Sequence, residues 1–331
     1  MIVSIFFYNL REDDELPFAR QCSEEYGIPF GYCVDYPSPD NYHLAEGYDA
    51  ISCTPCDMSR PVVEAFRDMG VKYITTRSIG IDHIDRVRAR ELGMRVGNVT
   101  YPSTGVASYA VMLILMCSRR MGDILARAAV QDYTLKDKIG EDITDMTVGI
   151  VGTGKIATAA ARQLSGFGCT ILYYGHHENE EMARFGTQVS LEELLCRSDA
   201  ITLHTNATDA NHHMIDAAAM EKMKDGVIIV NTARGKLIDT DALIDALERG
   251  KVGAAALDVL ENENGLYYYN RMGDVIENRQ MAVLRSFPNV ILSPHTAFYT
   301  RKNIYHMVQG CFEAVDAWNH GRETEREVYP D

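Results

Sequence analysis

The stretch Thr147-Val-Gly-Ile-Val-Gly-Thr-Gly-Lys-Ile-Ala157 places a glycine-rich turn between an apolar strand pattern and a helical segment. Gly152 permits a tight turn, Gly154 lets the main chain approach a phosphate, and Ala157 is small enough for close helix–strand packing. The start of the helix adds N–H groups and a partial positive charge. In this context the GxGxxA spacing predicts a site for a dinucleotide pyrophosphate, although an ordinary strand–helix turn shares the local pattern.

Short apolar segments rich in Val and Ile alternate with amphipathic helical segments along the chain, as in parallel sheets covered by helices on both faces. The predicted strands are 2–8, 50–52, 73–76, 147–151, 170–174, 200–204, 227–231, 254–257 and 290–292. We therefore predict an α/β protein of two Rossmann-like, doubly wound parallel-sheet domains. A flavodoxin-like substrate-binding domain would comprise 1–101 plus 297–331, and a dinucleotide-binding Rossmann domain would comprise 102–296. An active-site cleft is expected between them.

The acidic residue that usually accompanies a glycine-rich dinucleotide-binding turn is replaced in this chain. An Asp or Glu usually ends the next strand and binds the ribose 2′-hydroxyl, about 20 residues after the glycines. Here the strand pattern at 170–174 ends in Gly175-His176-His177. Loss of the carboxylate removes repulsion against a 2′-phosphate, so the sequence is compatible with NAD and with NADP. Two solvent histidines on a loop explain His176 and His177 equally well.

Three ionisable residues follow strand patterns in the second half of the chain. They are Arg234 in Asn-Thr-Ala-Arg-Gly, Glu263 in Leu-Asp-Val-Leu-Glu-Asn-Glu, and His295 in Ser-Pro-His-Thr-Ala. The planar fork of Arg234 suits a carboxylate, although such an arginine is a surface ion-pair partner about as often. The imidazole of His295 can exchange a proton near neutral pH, and Glu263 would fix its orientation. These three residues are therefore the catalytic candidates.

The bulk composition excludes several kinds of partner. The 331 residues carry a net charge of −15 and a pI of about 5.1, with 46% hydrophobic and 24% charged residues. Such a surface repels nucleic acid and anionic lipid, so a small anionic substrate needs local positive charge. The N-terminal residues lack signal-peptide features, and the longest apolar run, at 109–117, is too short to cross a bilayer. We expect a cytoplasmic protein.

Eight cysteines are scattered along the chain, and only Cys53-Thr-Pro-Cys56 forms a close pair. A CxxC pair is compatible with redox activity or with half of a zinc site. No second pair has zinc-finger spacing, so we predict free thiols in a reducing compartment and no metal site.

Taken together, these motifs resemble the D-isomer-specific 2-hydroxyacid dehydrogenase family over nearly the whole chain. The resemblance is carried by residues 148–157, 231–235, 256–263 and 289–297. Within the family the chain looks most similar to the D-lactate dehydrogenase branch, including the vancomycin-resistance type. That closer likeness rests on Thr76-Arg-Ser-Ile-Gly-Ile-Asp-His-Ile-Asp85, Asn98-Val-Thr-Tyr101, Asp145-Met-Thr-Val-Gly-Ile-Val-Gly-Thr-Gly154 and Leu266-Tyr-Tyr-Tyr269.

The resemblance implies a role for each matching position. Arg234 would bind the substrate carboxylate and polarise the carbonyl, His295 would be the general acid in reduction, and Glu263 would be its partner. The implied substrate-binding residues are Ile79, Gly80 and Tyr101, with Tyr299 as a further pocket candidate. The implied cofactor-binding residues are Gly152, Thr153, Gly154, Lys155, Ile156, Gly175, His176, His204, Thr205, Thr232, Ala233 and, near the nicotinamide, Asp258.

Two further features follow from the comparison with the family. Thr205-Asn206 stands where the family usually has an apolar residue and proline, which alters the adenosine pocket. The family works as homodimers through the cofactor domain, and the apolar helix predicted at 103–121 fits such an interface. Packing of that helix within one subunit explains its apolarity equally well.

The expected reaction is NAD(P)H-dependent reduction of a small 2-keto acid to the D-2-hydroxy acid, with pyruvate to D-lactate favoured. A second hypothesis is a bulkier keto acid such as 2-ketoisocaproate or phenylpyruvate, with Tyr101, Phe298, Tyr299 and the Cys53–Cys56 loop lining the pocket. A third is an NAD(H)-sensing binding protein without turnover, against which the intact catalytic set argues.

Overall fold

The structure, a computed structural model, describes residues 3–263 and 265–329. The described residues divide into two compact units: those up to Pro102 together with those from Tyr299 onward, and Ser103–Phe298. These limits lie one or two residues from the predicted boundaries. The cleft expected between the domains stays a prediction.

The first unit is built on a five-stranded parallel sheet. Its elements before Pro102 are β1 (Ile5–Phe7), α1 (Leu16–Tyr26), β2 (Phe30–Tyr32), β3 (Ala50–Cys53), α2 (Arg60–Asp68), β4 (Tyr73–Thr76), α3 (Arg86–Glu91) and β5 (Arg95–Gly97). The strand order is β2-β1-β3-β4-β5. Residue 2 of the first predicted strand lies outside the described residues.

The second unit carries a seven-stranded parallel sheet. Its elements are α4 (Thr104–Ser118), α5 (Met121–Ala129), β6 (Thr147–Val151), α6 (Lys155–Ser165), β7 (Thr170–Tyr174), β8 (Thr187–Gln188), α7 (Leu191–Arg197), β9 (Ala200–Leu203), α8 (Ala217–Lys222), β10 (Val227–Asn231), α9 (Thr240–Glu248), β11 (Val252–Leu257), α10 (Arg279–Leu284) and β12 (Val290–Leu292). The order β12-β11-β10-β9-β6-β7-β8 reverses between β6 and β9. Ligands of such sheets bind beyond the carboxyl ends of the strands at this reversal.

A last helix, α11 (Arg301–Asn319), completes the first unit. Phe312 of α11 is fully buried, and its ring lies 5.5 Å from that of Phe7 in β1. Trp318 lies 5.3 Å from the ring of Tyr73 in β4 and would be struck by any side chain at Gly97. The sheet of this unit is therefore covered by a helix from the other end of the chain.

The helix predicted at 103–121 is present as α4, but it ends three residues earlier than predicted, at Ser118. Arg120 adopts a left-handed conformation with φ of 54°, and a separate helix, α5, begins at Met121. The apolar face of α4 is buried inside its own unit, where Ala107 packs against Ala159 and Ala160 of α6. Small residues on both helices allow this close approach, so intramolecular packing accounts for the apolarity of α4. No helix among the described residues is long and apolar enough to span a membrane.

Candidate active site

His295 and Glu263 form a hydrogen-bonded pair in the second unit. Nδ1 of His295 lies 2.6 Å from Oε1 of Glu263, and both side chains are about a quarter exposed, at 27% and 22%. The other carboxylate oxygen of Glu263 accepts a hydrogen bond of 2.8 Å from the main-chain N–H of Leu260. The carboxylate is thus held at both oxygens and fixes the imidazole through Nδ1, which leaves Nε2 as the nitrogen for proton transfer.

Asp258, immediately after β11, positions the loop that carries His295. Its carboxylate is fully buried and accepts hydrogen bonds from the hydroxyl of Ser293 at 2.6 Å and the N–H groups of Thr296 and Ala297 at 2.9 Å. Its carbonyl oxygen accepts from the N–H of His295 at 2.8 Å. These bonds hold His295 at a positive φ of 52°. The structure therefore gives Asp258, predicted to lie near the nicotinamide, a positioning role that the sequence did not indicate.

Arg234 follows β10, the strand next to β11 in the sheet. The side chain of Asn231 fixes this turn, because its Nδ2 donates to the carbonyl of Arg234 and its Oδ1 accepts from the N–H of Ala233, both at 2.9 Å. Nη1 of Arg234 donates to the carbonyl of Ala233 at 2.7 Å. The three predicted catalytic residues thus follow three adjacent strands, at the same edge of one sheet.

The glycine-rich turn has the features of a phosphate site. Gly152 has a φ of 116°, and a Cβ there would lie 2.4 Å from the carbonyl oxygen of His204. At Gly154, by contrast, a Cβ would meet no atom within 4 Å. Packing within the protein therefore requires glycine at 152 but not at 154. Open space at the start of α6, before Lys155 and Ile156, is what close approach of a pyrophosphate needs.

Two buried polar atoms at the carboxyl ends of β9 and β10 have no protein partner among the described residues. They are Nδ1 of His204, after β9, and Oγ1 of Thr232, after β10. Thr205 and Ala233 are their chain neighbours. Burial of such atoms is costly unless a ligand or water satisfies them, so they fit a polar cofactor at this edge. Although His204 keeps some exposed surface, desolvation lowers the pKa of its imidazole to about 4, so the ring is neutral at neutral pH.

Gly175, at the end of β7, is constrained by its neighbour in the glycine-rich turn. A Cβ at 175 would lie 2.4 Å from Cγ2 of Thr153, so the threonine occupies the space that a larger residue's side chain would need. Nε2 of Gln188 donates to the carbonyl of Gly175 at 3.1 Å, and the ring of His176 lies 5.7 Å from that of Tyr174. No sequence motif indicates Gln188, which lies on the next strand, β8.

The predicted substrate-binding residues belong to the first unit. The carbonyl of Ile79 accepts from Asn98 at 2.8 Å, and that of Gly80 accepts from Ser78 at 2.6 Å. These bonds give the turn after β4 a defined shape. Tyr101 is half-buried. The hydroxyl of Tyr299 donates to Asp14, and Arg11 lies over the Tyr299 ring, beside a cavity of about 330 Å³. None of these contacts assigns a substrate role to these residues. Their role in substrate binding stays a prediction.

Two aromatic rings lie beside His295: Phe298, which the sequence predicted as a pocket residue for a bulkier keto acid, and Tyr268, which it did not. The hydroxyl of Tyr268 donates to the carbonyl of His295 at 3.0 Å, and the Tyr268 ring centroid lies 6.1 Å from the imidazole. Phe298 stands edge-on at 6.3 Å. Leu266-Tyr-Tyr-Tyr269 was a motif of the resemblance, but nothing in its spacing indicates which tyrosine reaches His295. These rings give one side of the site an apolar surface.

Comparisons with known proteins identify the family of this chain. Residues 111–297 match the family described as "D-isomer specific 2-hydroxyacid dehydrogenase, NAD binding domain". The chain is 38% identical over 310 residues to an aromatic 2-oxoacid reductase of Clostridium sporogenes, covering 93% of each. It superposes with a TM-score of 0.90 and 31% identity on a D-lactate dehydrogenase of Treponema pallidum, covering 99% and 100% of the chains. A D-2-hydroxyisocaproate dehydrogenase gives a TM-score of 0.91 at 30% identity, with 99% and 100% covered.

Proposed function

The chain belongs to the D-isomer specific 2-hydroxyacid dehydrogenase family, and we propose that it uses a reduced nicotinamide dinucleotide to convert pyruvate to D-lactate. The family membership makes it a D-2-hydroxyacid dehydrogenase with an NAD-binding domain. The Glu263–His295 pair, with its 2.6 Å contact, carries the proposal for how this chain supplies the proton. The likeness to D-lactate dehydrogenases supports pyruvate as the substrate.

In the proposed reduction, the nicotinamide, when bound, supplies a hydride to the carbonyl carbon of the keto acid. His295 enters the step protonated and donates the proton on Nε2 to the carbonyl oxygen, becoming neutral. Glu263 stays ionised and keeps Nδ1 of His295 in place, as the acid–histidine pair of a general acid requires. The product leaves as the hydroxy acid, and His295 takes a proton from solvent before the next turnover.

Arg234 is proposed to bind the substrate carboxylate and to stabilise negative charge on the carbonyl oxygen. Its guanidinium offers two parallel N–H donors, the geometry that a carboxylate accepts. The main chain at Ile79 and Gly80 and the side chain of Tyr101 are proposed as further substrate contacts, and Tyr299 as a pocket residue. Their support is the family resemblance together with the fixed turn after β4.

The cofactor proposal includes NADP as well as NAD. Gly175 lacks the carboxylate that would repel a 2′-phosphate, and Thr153 fills the space above it. His176 and Gln188 lie at the same strand end and offer donors. We propose that the chain accepts NADPH at a rate comparable with NADH.

A bulkier keto acid is the second candidate, and a specific observation favours it. Tyr268 and Phe298 place aromatic surface beside His295, which suits an aromatic or branched substrate side chain. The C. sporogenes relative, whose name states activity on aromatic 2-oxoacids, also supports a bulkier keto acid as the substrate.

We also propose a cytoplasmic homodimer. Large apolar side chains are exposed on α5 and the segment after it, at Leu125, Val130, Tyr133, Leu135 and Ile139. Exposed apolar side chains concentrated in one segment of the chain support an association site there. All eight cysteines are free thiols, which are typical of proteins in a reducing compartment.

The proposal is tested by initial rates of NADH and NADPH oxidation with pyruvate, 2-ketoisocaproate and phenylpyruvate, each measured with a His295→Gln control to remove background oxidation. The highest kcat/KM with pyruvate would establish the D-lactate assignment. A higher value with either bulky acid would replace it by the second candidate. A preference of about a hundredfold for NADH over NADPH would contradict the cofactor proposal, since it needs a discrimination of nearly 3 kcal/mol.

A further inference from the structure

Two histidines and a carboxylate converge in the second unit, apart from the catalytic pair. The rings of His212 and His213 stack with centroids 3.9 Å apart, and Nε2 of His213 lies 2.8 Å from Oε1 of Glu261. One donor atom from each of the three residues lies within 4.8 Å of the others. Across residues 3–263 and 265–329, this is the one group of three or more His, Cys, Asp or Glu side chains arranged in this way.

The main chain places both imidazoles on one side of the loop before α8. Successive side chains of an extended segment point in opposite directions, but His213 has a positive φ of 53°, which interrupts that alternation. The N–H of His213 donates to the carbonyl of Lys236 at 2.9 Å, and the N–H of Ile215 donates to that of Leu237 at 3.0 Å. The histidine loop is therefore fixed against the segment between β10 and α9.

One of the three side chains has a hydrogen-bonded outer partner, and another has a carboxylate nearby. Oε2 of Glu261 accepts a hydrogen bond of 2.8 Å from the hydroxyl of Thr240. Nδ1 of His213 lies 3.9 Å from Oδ2 of Asp239, on the ring edge away from Glu261. A hydroxyl that donates to a ligating carboxylate orients that metal ligand, and a carboxylate near the outer nitrogen of a histidine favours its binding to a cation.

From this geometry we propose that His212, His213 and Glu261 bind a divalent transition-metal ion of the zinc class. Two imidazoles and one carboxylate, with water as the fourth ligand, form a known tetrahedral set. Bonds of about 2.1 Å require donor atoms about 3.4 Å apart. The donor separations span that value, and His212 is exposed, so rotation of its side chain completes the site. The ion replaces the proton shared by His213 and Glu261.

The site goes beyond the reductase activity because it contains none of the three catalytic candidates. It would nevertheless cross-link the histidine loop to the turn Glu261-Asn262-Glu263, in which Asn262 has a positive φ of 58°. One carboxylate of this turn would bind the ion while the other holds His295. The sequence predicted no metal site, because Glu261 lies 48 residues from His213 and no short ligand motif joins them.

Cobalt(II) is the probe for this proposal. Reduced and desalted full-length protein without an added polyhistidine segment is titrated with Co²⁺ and then with Zn²⁺. We expect one equivalent of Co²⁺ to give the visible absorption of a four-coordinate nitrogen–oxygen site, which Zn²⁺ abolishes. His212→Gln should weaken binding by about tenfold or more. His43→Gln, which changes an exposed histidine of the first unit, should leave it unchanged.

Thermal melting monitored by circular dichroism checks that both variants are folded. The proposal is overturned by equal Co²⁺ affinity of His212→Gln and the unaltered protein, since the ion would then lie elsewhere. It is also overturned by a near-ultraviolet thiolate charge-transfer band, which would place the ion on cysteines. A Zn²⁺ dissociation constant above ~1 mM would overturn it as well, because protein zinc sites bind far more tightly.

Discussion

The Cβ position of Gly235 lies 2.1 Å from the carbonyl carbon of Leu260 and 2.4 Å from the amide nitrogen of the following residue. The glycine after Arg234 therefore rests directly on the peptide that begins the turn to Glu263. The segment that carries Arg234, the proposed ligand of the substrate carboxylate, is thus in main-chain contact with the segment that leads to Glu263. Glu263 in turn holds His295, the proposed general acid.

Gly235→Ala should damage stability and catalysis together, because the methyl group must displace the peptide between Leu260 and Glu261. Forcing a methyl into a filled space costs about 1–3 kcal/mol, and movement of Glu263 should lower kcat. Urea unfolding and steady-state rates measure the two effects. Gly122→Ala in α5 is the control, since its Cβ would lie at an ordinary 3.4 Å from Ile291. Unaltered kcat in Gly235→Ala would show that the contact does not position Glu263.

His295→Gln should reduce kcat by about 10²–10⁴-fold, the usual contribution of a general acid. NADH affinity, measured by fluorescence titration, should change little because the substitution removes only the proton donor. His320→Gln is the matched control, since His320 also lies beside a carboxylate, that of Asp316, at 3.2 Å on the surface. A kcat near that of the unaltered protein would exclude His295 as the acid.

Arg234→Lys should raise KM for the keto acid and lower kcat, because lysine keeps the charge but lacks two parallel donors. A loss of about 2 kcal/mol or more in transition-state stabilisation is expected, equivalent to roughly thirtyfold in kcat/KM. Arg249→Lys, an exposed partner of Glu221, is the control for a general effect of the exchange. Unchanged kcat/KM would remove Arg234 from the proposed substrate site.

Gly154→Ala separates cofactor binding from folding. The added methyl group meets no protein atom within 4 Å, and the backbone at this position is extended, with φ of −76° and ψ of −179°. Stability should therefore stay within about 0.5 kcal/mol of the original. NADH affinity should fall by roughly tenfold or more, since the methyl occupies the approach to the pyrophosphate. Equal NADH affinity would place the phosphates elsewhere.

The neutral, buried ring of His204 predicts a pH dependence of stability. Its folded-state pKa of about 4 lies below the ordinary 6.5, so the unfolded chain binds the proton first as pH falls. As the pH falls from 6.5 to 4, His204 should therefore lower the free energy of unfolding by at most about 3 kcal/mol, and below pH 4 it should contribute no further change. Urea unfolding across this range measures the slope. His204→Gln should flatten it, and His43→Gln should retain it.

The accuracy of the strand predictions depended on burial. Central strands such as β6, β9 and β10 are apolar on both faces and were predicted within a residue of their ends. The three strands that the sequence did not reveal, β2, β5 and β8, are all sheet-edge strands. They are short and contain Gly or polar residues, since an edge strand is not enclosed by neighbours and needs no continuous apolar run.

For the site, residue type and strand ends identified the Glu263–His295 pair, because carboxyl ends of parallel strands meet at one edge. The other residues that meet in the folded protein show no recognisable pattern in the sequence. Tyr268 reaches His295 through an irregular loop, and the convergence of His212 and His213 on Glu261 depends on the backbone conformation at one residue. Asp258 was recognised in its motif, but burial, which the motif does not encode, determines what its carboxylate does.

The discontinuous first unit has a consequence for biosynthesis. Ser103–Phe298 is a continuous stretch that can bury its own core as it leaves the ribosome. The sheet around Phe7, in contrast, is not covered until Phe312 and Trp318 have been synthesised. Until α11 has been synthesised, one face of β1 and β4 stays uncovered, with apolar side chains open to aggregation or to chaperones. We expect nascent chains stopped before residue 301 to hold a protease-resistant second unit and a protease-sensitive first one.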